Sequence, residues 1–104
     1  MSNKVDPVVN GNGDLVGYMA DCVGCGIPHV IYVANPNGGP TWTFNESLEK
    51  PTFSPSLLVT WDEGEERIHK RCHSFIVNGQ WQYLNDCTHD LAGKTVDMAL
   101  VEED

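Results

Sequence analysis

Arg71-Cys72-His73-Ser74-Phe75-Ile76-Val77-Asn78-Gly79-Gln80-Trp81-Gln82-Tyr83-Leu84-Asn85-Asp86-Cys87-Thr88-His89 has the pattern of a β-hairpin with reactive side chains at its open end. Asn78-Gly79 is the dipeptide that best tolerates the two positive φ angles of a type I′ turn. The flanking Phe75-Ile76-Val77 and Trp81-Gln82-Tyr83-Leu84 are rich in the aromatic and β-branched residues that paired strands favour. Counting outward from the turn pairs Val77 with Gln80, Ile76 with Trp81, Ser74 with Tyr83 and Cys72 with Asn85. Side chains alternate between faces along a strand. Cys72 and Cys87 therefore fall on one face, and Arg71, His73 and Asp86 on the other.

Two further thiols stand at Cys22 and Cys25, in Asp21-Cys22-Val23-Gly24-Cys25-Gly26. This Cys-x-x-Cys-Gly is a metal-binding knuckle, with glycines that let backbone amides turn toward sulfur. A thioredoxin-like use needs the second cysteine to enter a helix, which Gly26-Ile27-Pro28 prevents. Cys22, Cys25, Cys72 and Cys87 are the expected ligands of one structural zinc ion, since zinc accepts four sulfurs in a closed tetrahedral site. His73 and His89 flank the second pair and make a mixed Cys and His site the rival arrangement. His73 points away from Cys72, which favours the four cysteines. Arg67, Lys70 and Arg71 either offset the charge of such a site or form an ordinary solvated face.

At 104 residues the chain is expected to be a single domain spanning 1–104, with a loose N-terminus over 1–14 and a frayed acidic tail over 102–104. A zinc clip between distant segments adds folding energy in a domain of this size. Six basic against fifteen acidic residues give a net charge of −9. That charge repels phosphate backbones and anionic lipid, so neither nucleic acid nor membrane is an expected partner. No run of about eighteen apolar residues is present to span a bilayer. Met1–Pro7 has no apolar core of a secretory signal. Four cysteines without one point to a reducing, cytoplasmic setting, where thiols bind metal more readily than they pair.

Pro7-Val8-Val9, Leu15–Ala20, His29–Ala34, Thr41–Phe44, Leu57–Trp61 and Thr95–Val101 are expected strands, in addition to the hairpin. Asn10–Gly13 is a turn, Pro51 and Pro55 hold an extended segment, and 62–66 is an acidic loop. Nothing supports a helix of three turns. The fold class is mostly β, a small zinc-stapled domain of about six to eight short strands.

His73 beside Asp86 is the orienting half of a nucleophilic apparatus that lacks only a hydroxyl. Ser56, in the proline-stiffened segment, is the leading candidate, with Ser54 and Ser74 as alternatives. The bland reading, polar groups satisfied around a metal knuckle, fits each of these residues taken alone.

The blocks Cys22-x-x-Cys25-Gly26, Pro51-Thr52-Phe53-Ser54-Pro55-Ser56-Leu57, Cys72-His73-Ser74-Phe75-Ile76 and Asp86-Cys87-Thr88-His89-Asp90-Leu91-Ala92-Gly93-Lys94-Thr95-Val96 resemble a family of small proteins of tailed bacteriophages and prophages, often labelled ammonia monooxygenase. That family is distantly similar to the peptidase-like component of bacterial ubiquitin-like conjugation operons, to which cleavage of ubiquitin-like precursors or conjugates is ascribed. In those peptidases a histidine matches His73 and a serine matches Ser56. The order of residues in the Cys-His-Ser strand differs, and Asp86–His89 has no counterpart. The resemblance implies a serine-type hydrolase or peptidase with a protein substrate, built from Ser56, His73 and Asp86. The alternative is a non-catalytic, zinc-stabilised phage accessory or interaction module with a protein partner.

Overall fold

The structure is a computed structural model and describes residues 3–35 and 38–101. The tail expected to fray at 102–104 lies outside the described residues. The described residues are all β, with eight strands: β1 (Asp6–Val9), β2 (Leu15–Asp21), β3 (Pro28–Tyr32), β4 (Thr43–Phe44), β5 (Phe53–Glu63), β6 (Ile68–Val77), β7 (Gln80–Tyr83) and β8 (Thr95–Asp97). They form two antiparallel sheets, β1-β2-β3 and β4-β5-β6-β7-β8. Among them no helix is long and apolar enough to cross a membrane.

The β6–β7 hairpin has the expected register, Val77 opposite Gln80, Ile76 opposite Trp81 and Ser74 opposite Tyr83. Asn78 and Gly79 take φ of 52° and 79°, the two positive angles of the tight turn. Strand pairing stops at Ser74–Tyr83, and the chain turns through 84–87 before Cys72 and Asn85 can pair.

The acidic loop is shorter than its composition suggests. β5 runs on through Asp62 and Glu63, and only Gly64–Arg67 forms the turn. Each of the two acids meets a basic group on β6: Asp62 lies 3.4 Å from His69, and Glu63 lies 3.7 Å from Lys70. Polar and opposite-charge partners across an antiparallel pair favour the strand. β3 ends at Tyr32, two residues before the expected Ala34, and two other strands are shorter than expected, at 43–44 and 95–97. In the second case the amide of Met98 turns to the carbonyl of Gly79, and the Met98 side chain enters the core. At the start of the chain, β1 pairs with β2 and Val5 is fully buried.

The core lies between the sheets. Ile31 of the small sheet and Ile76 and Trp81 of the large one are among its most buried side chains. Burying each contributes about 1.5–3 kcal/mol. Cys22 and Cys72 belong to this core, as does the ring of His29, which stands edge-on to Trp81. The thiols thus sit where the two sheets meet.

Candidate functional site

Two groups of reactive side chains share strand β6. On its outer face, His73 Nδ1 lies 3.1 Å from an Asp86 carboxylate oxygen and its Nε2 lies 3.2 Å from Ser56 Oγ. An ionised carboxylate only accepts hydrogen bonds, so Nδ1–H donates to Asp86 and Nε2 accepts from the Ser56 hydroxyl. The Asp86 carboxyl is held below its usual range, first by the hydrogen bond from His73 and further by the charge of Arg71. Arg71 Nη1 is 3.5 Å from the same oxygen that faces His73.

The main chain positions each member. From the pair Phe53–Ile76 to the pair Leu57–Ser74, β5 uses four residues where β6 uses two. Ser54-Pro55-Ser56 is thus a bulge, a device that re-aims a side chain without ending the sheet. It turns Ser56 toward His73. Trp42 Nε1–H donates to the Ser56 carbonyl at 3.2 Å and holds the other side of the bulge. Asp86 sits on the turn after β7, closed by Cys87 N–H donating to Leu84 C=O. Cys87 braces the histidine: its sulfur accepts from His73 N–H at 3.2 Å and donates to His73 C=O at 3.1 Å.

On the inner face, Cys22, Cys25, His29 and Cys72 bring one donor atom each within 4.8 Å of one another, a group able to hold a metal ion. Cys22 and Cys72 sulfurs are 3.7 Å apart, and the Cys25 amide donates to Cys22 Sγ at 3.4 Å, as a knuckle requires. His29 is 3% exposed, and its Nε2 is buried without a hydrogen-bond partner. A buried imidazole with one unpartnered nitrogen, gathered with three thiols, fits the donor set of a metal site. The sulfurs compete for one negative charge. The hydrogen bond from Cys72 lowers the Cys22 thiol to about 3, while burial and the Cys22 charge push Cys25 up to about 12. Cys72 is pushed up as well, its hydrogen bond to Cys22 being the largest cause. A bound dication reverses this competition and takes every ligand thiol as thiolate.

Donors surround the sulfurs. Tyr83 accepts from Gly24 N–H at 3.1 Å, so its O–H is free to donate to Cys22 Sγ at 3.2 Å. His89 Nδ1 accepts from Leu91 N–H, which leaves Nε2–H to donate to Cys72 Sγ at 3.5 Å. Any side chain at Gly24 would run into the His89 ring. Such outer contacts orient metal ligands and spread the thiolate charge.

Of the four cysteines expected to share one ion, three are gathered with His29, and Cys87 falls instead in a second group with Cys72 and His89. The turn after β7 sets Cys87 beneath His73, with its sulfur within 4.8 Å of the Cys72 sulfur. His73, the other proposed substitute ligand, faces Ser56 and Asp86. Ser54 is exposed on β5, and Ser74 is fully buried with its hydroxyl unpartnered. Neither bonds to His73. His29 carried a legible signal, since Cys22-x-x-Cys25-x-x-x-His29 is a ligand spacing in its own right. Nothing in the sequence singled out Tyr83.

The chain matches the family model described as "bacterial ubiquitination-like system serine protease (BubE)" over residues 3–84. The matched stretch contains Ser56, His73 and the group Cys22, Cys25, His29 and Cys72, and ends before Asp86, Cys87 and His89. No curated protein and no solved structure matches.

Proposed function

The chain belongs to the family of bacterial ubiquitination-like system serine proteases, and from that membership we propose that it is a serine peptidase acting on ubiquitin-like precursors or conjugates. The observation that carries the proposal is the unbroken run of hydrogen bonds from Ser56 through His73 to Asp86. Ser56 Oγ attacks the scissile carbonyl carbon while His73 Nε2 takes the hydroxyl proton. The tetrahedral adduct collapses as His73 returns that proton to the leaving amine, breaking the C–N bond. Water, deprotonated by the same nitrogen, then splits the acyl ester and restores Ser56. Asp86 fixes the ring orientation and stabilises the imidazolium formed twice in each cycle.

Cys22, Cys25, Cys72 and His29 hold a structural zinc ion in this reading. Three soft thiolates and one imidazole suit a closed tetrahedral zinc site, and when bound the ion supplies stability alone. Such a site suits a reducing compartment, the bacterial cytoplasm, or the host's where the gene is phage-borne. The test is a fluorophosphonate probe with mass-spectrometric mapping. One adduct on Ser56, absent from Ser56→Ala and from His73→Ala, is the expected result. A folded protein left unlabelled overturns the peptidase and leaves a non-catalytic module.

A further inference from the structure

We propose that the open edge of β5 is the substrate-binding strand: an extended, unstructured stretch of polypeptide adds there as a further β-strand, hydrogen-bonded to the main chain of Leu58 and Thr60, and brings its scissile bond to Ser56. This rests on the reading of Ser56 as a nucleophile.

The direction of the main-chain groups follows from hydrogen bonds on the far side of the sheet. His73 C=O accepts from Leu84 N–H at 2.9 Å, and His73 N–H goes to the Cys87 sulfur. Arg71 C=O accepts from Thr88 N–H at 2.9 Å, and Arg71 N–H goes to Thr88 Oγ1 at 2.9 Å. Both residues turn their polar main-chain groups away from β5. Leu58 and Thr60 lie opposite them in the ladder. They therefore occupy non-hydrogen-bonded positions, and their own N–H and C=O point to the outer edge of β5.

That edge is covered only at its start. β4 pairs with Phe53 and Ser54, and Trp42 Nε1–H caps the carbonyl of Ser56. Beyond Ser56, no strand among the described residues pairs with β5 on this side. A groove of about 400 Å³ runs along the edge, its walls including Val30, Tyr32, Trp42, Leu57, Leu58 and Thr60. Its far wall is the outer edge of β3. Tyr32 C=O accepts from Trp42 N–H at 2.7 Å, so by alternation the main chain of Val30 also faces the groove.

The occupant follows from what the groove offers. Leu58 and Thr60 present donors and acceptors about 7 Å apart, the two-residue repeat of a strand, which only another extended main chain matches. The walls are mostly apolar, and Leu58 is 53% exposed. A long, uncovered apolar edge is a liability that folded proteins avoid. Here it ends at the bulge carrying Ser56, where an added strand delivers a peptide bond.

The test uses a Ser56→Ala variant, which cannot cleave, and reduced, carboxymethylated α-lactalbumin as an unfolded chain. Amide exchange at Leu58 and Thr60 should slow about tenfold or more on binding. The Thr60 protection should disappear in Ser56→Ala/Leu58→Pro. Proline removes the outward N–H and the Leu58 side chain from the groove and leaves the β5–β6 ladder its bonds. Protection elsewhere, or none, overturns the proposal from the Ser56→Ala measurement alone, whether or not the proline variant folds. Hydrolysis of p-nitrophenyl acetate by the wild type reports the nucleophile separately. Hydrolysis without edge protection sinks the groove and keeps the peptidase. Edge protection without hydrolysis keeps a peptide-binding groove and sinks the peptidase.

Discussion

Cys72 and His73 are consecutive on β6, yet Cys72 is 1% exposed among sulfurs while His73 stands between a hydroxyl and a carboxylate on the open face. One strand serves two sites because its side chains alternate. The sites differ in what they join. The sulfur group links the knuckle after β2 and His29 on β3 to Cys72 on β6, and so ties the two sheets together. The polar group lies within the larger sheet and the turn that follows β7. A site that bridges sheets is part of the fold. A site laid on one sheet's surface can be lost without losing the fold.

That contrast breaks most sharply at Ser56, whose hydroxyl bonds to His73 alone among the described residues. Ser56→Ala should cut peptidase turnover by about 10⁴–10⁶-fold and leave the melting temperature unchanged. Turnover and thermal unfolding measured on one preparation check both halves. If the melting temperature falls with activity, the two sites are not separable.

Cys72→Ser should do the reverse. Loss of a structural metal ligand from the core is expected to cost about 3–5 kcal/mol in urea unfolding, and activity should fall only with the folded fraction. Metal analysis of the wild type should find about one zinc per chain. A metal-free wild type that is fully folded would remove the distinction altogether.

The comparison sharpens at the fourth ligand. His29→Ala should weaken metal binding about a hundredfold, by competition with a chromophoric chelator, whereas Cys87→Ser should retain one equivalent. Equal losses in the two variants would return Cys87 to the metal.

The smallest effect concerns Asp86, whose carboxyl lies below its usual value of 3.8, chiefly through its hydrogen bond with His73. The unfolded chain takes up this proton more readily than the folded one. The carboxylate therefore adds stability above its unfolded value, and the gain is lost as pH falls through the lower folded value. Wild type and Asp86→Asn should differ slightly in urea unfolding at neutral pH and converge below about pH 4. Asp86 is exposed, so solvent keeps the difference small. A gap that widens on acidification contradicts the assigned sign.

The sequence by itself determined the hairpin, its register and the separation of Cys72 from His73, because turn chemistry and strand alternation are local. Asn78-Gly79 closes one turn geometry, and every residue counted outward inherits its face. The all-β class and the Cys22–Cys25 knuckle were legible for the same reason. Ser56 and His73 could be named as candidates, but their approach to 3.2 Å depends on the bulge in β5 and on β5 pairing with β6. The fate of Asp62 and Glu63 was hidden because their basic partners become neighbours only once the strands pair. His29, unassigned from the sequence, and Cys87, expected to join the knuckle cysteines, both owe their places to tertiary structure. His29 enters the core when the small sheet packs on the large one, and the turn after β7 carries Cys87 beneath His73. Which edge of β5 stays open was likewise decided by tertiary structure, since an edge is defined only by which strands fail to reach it.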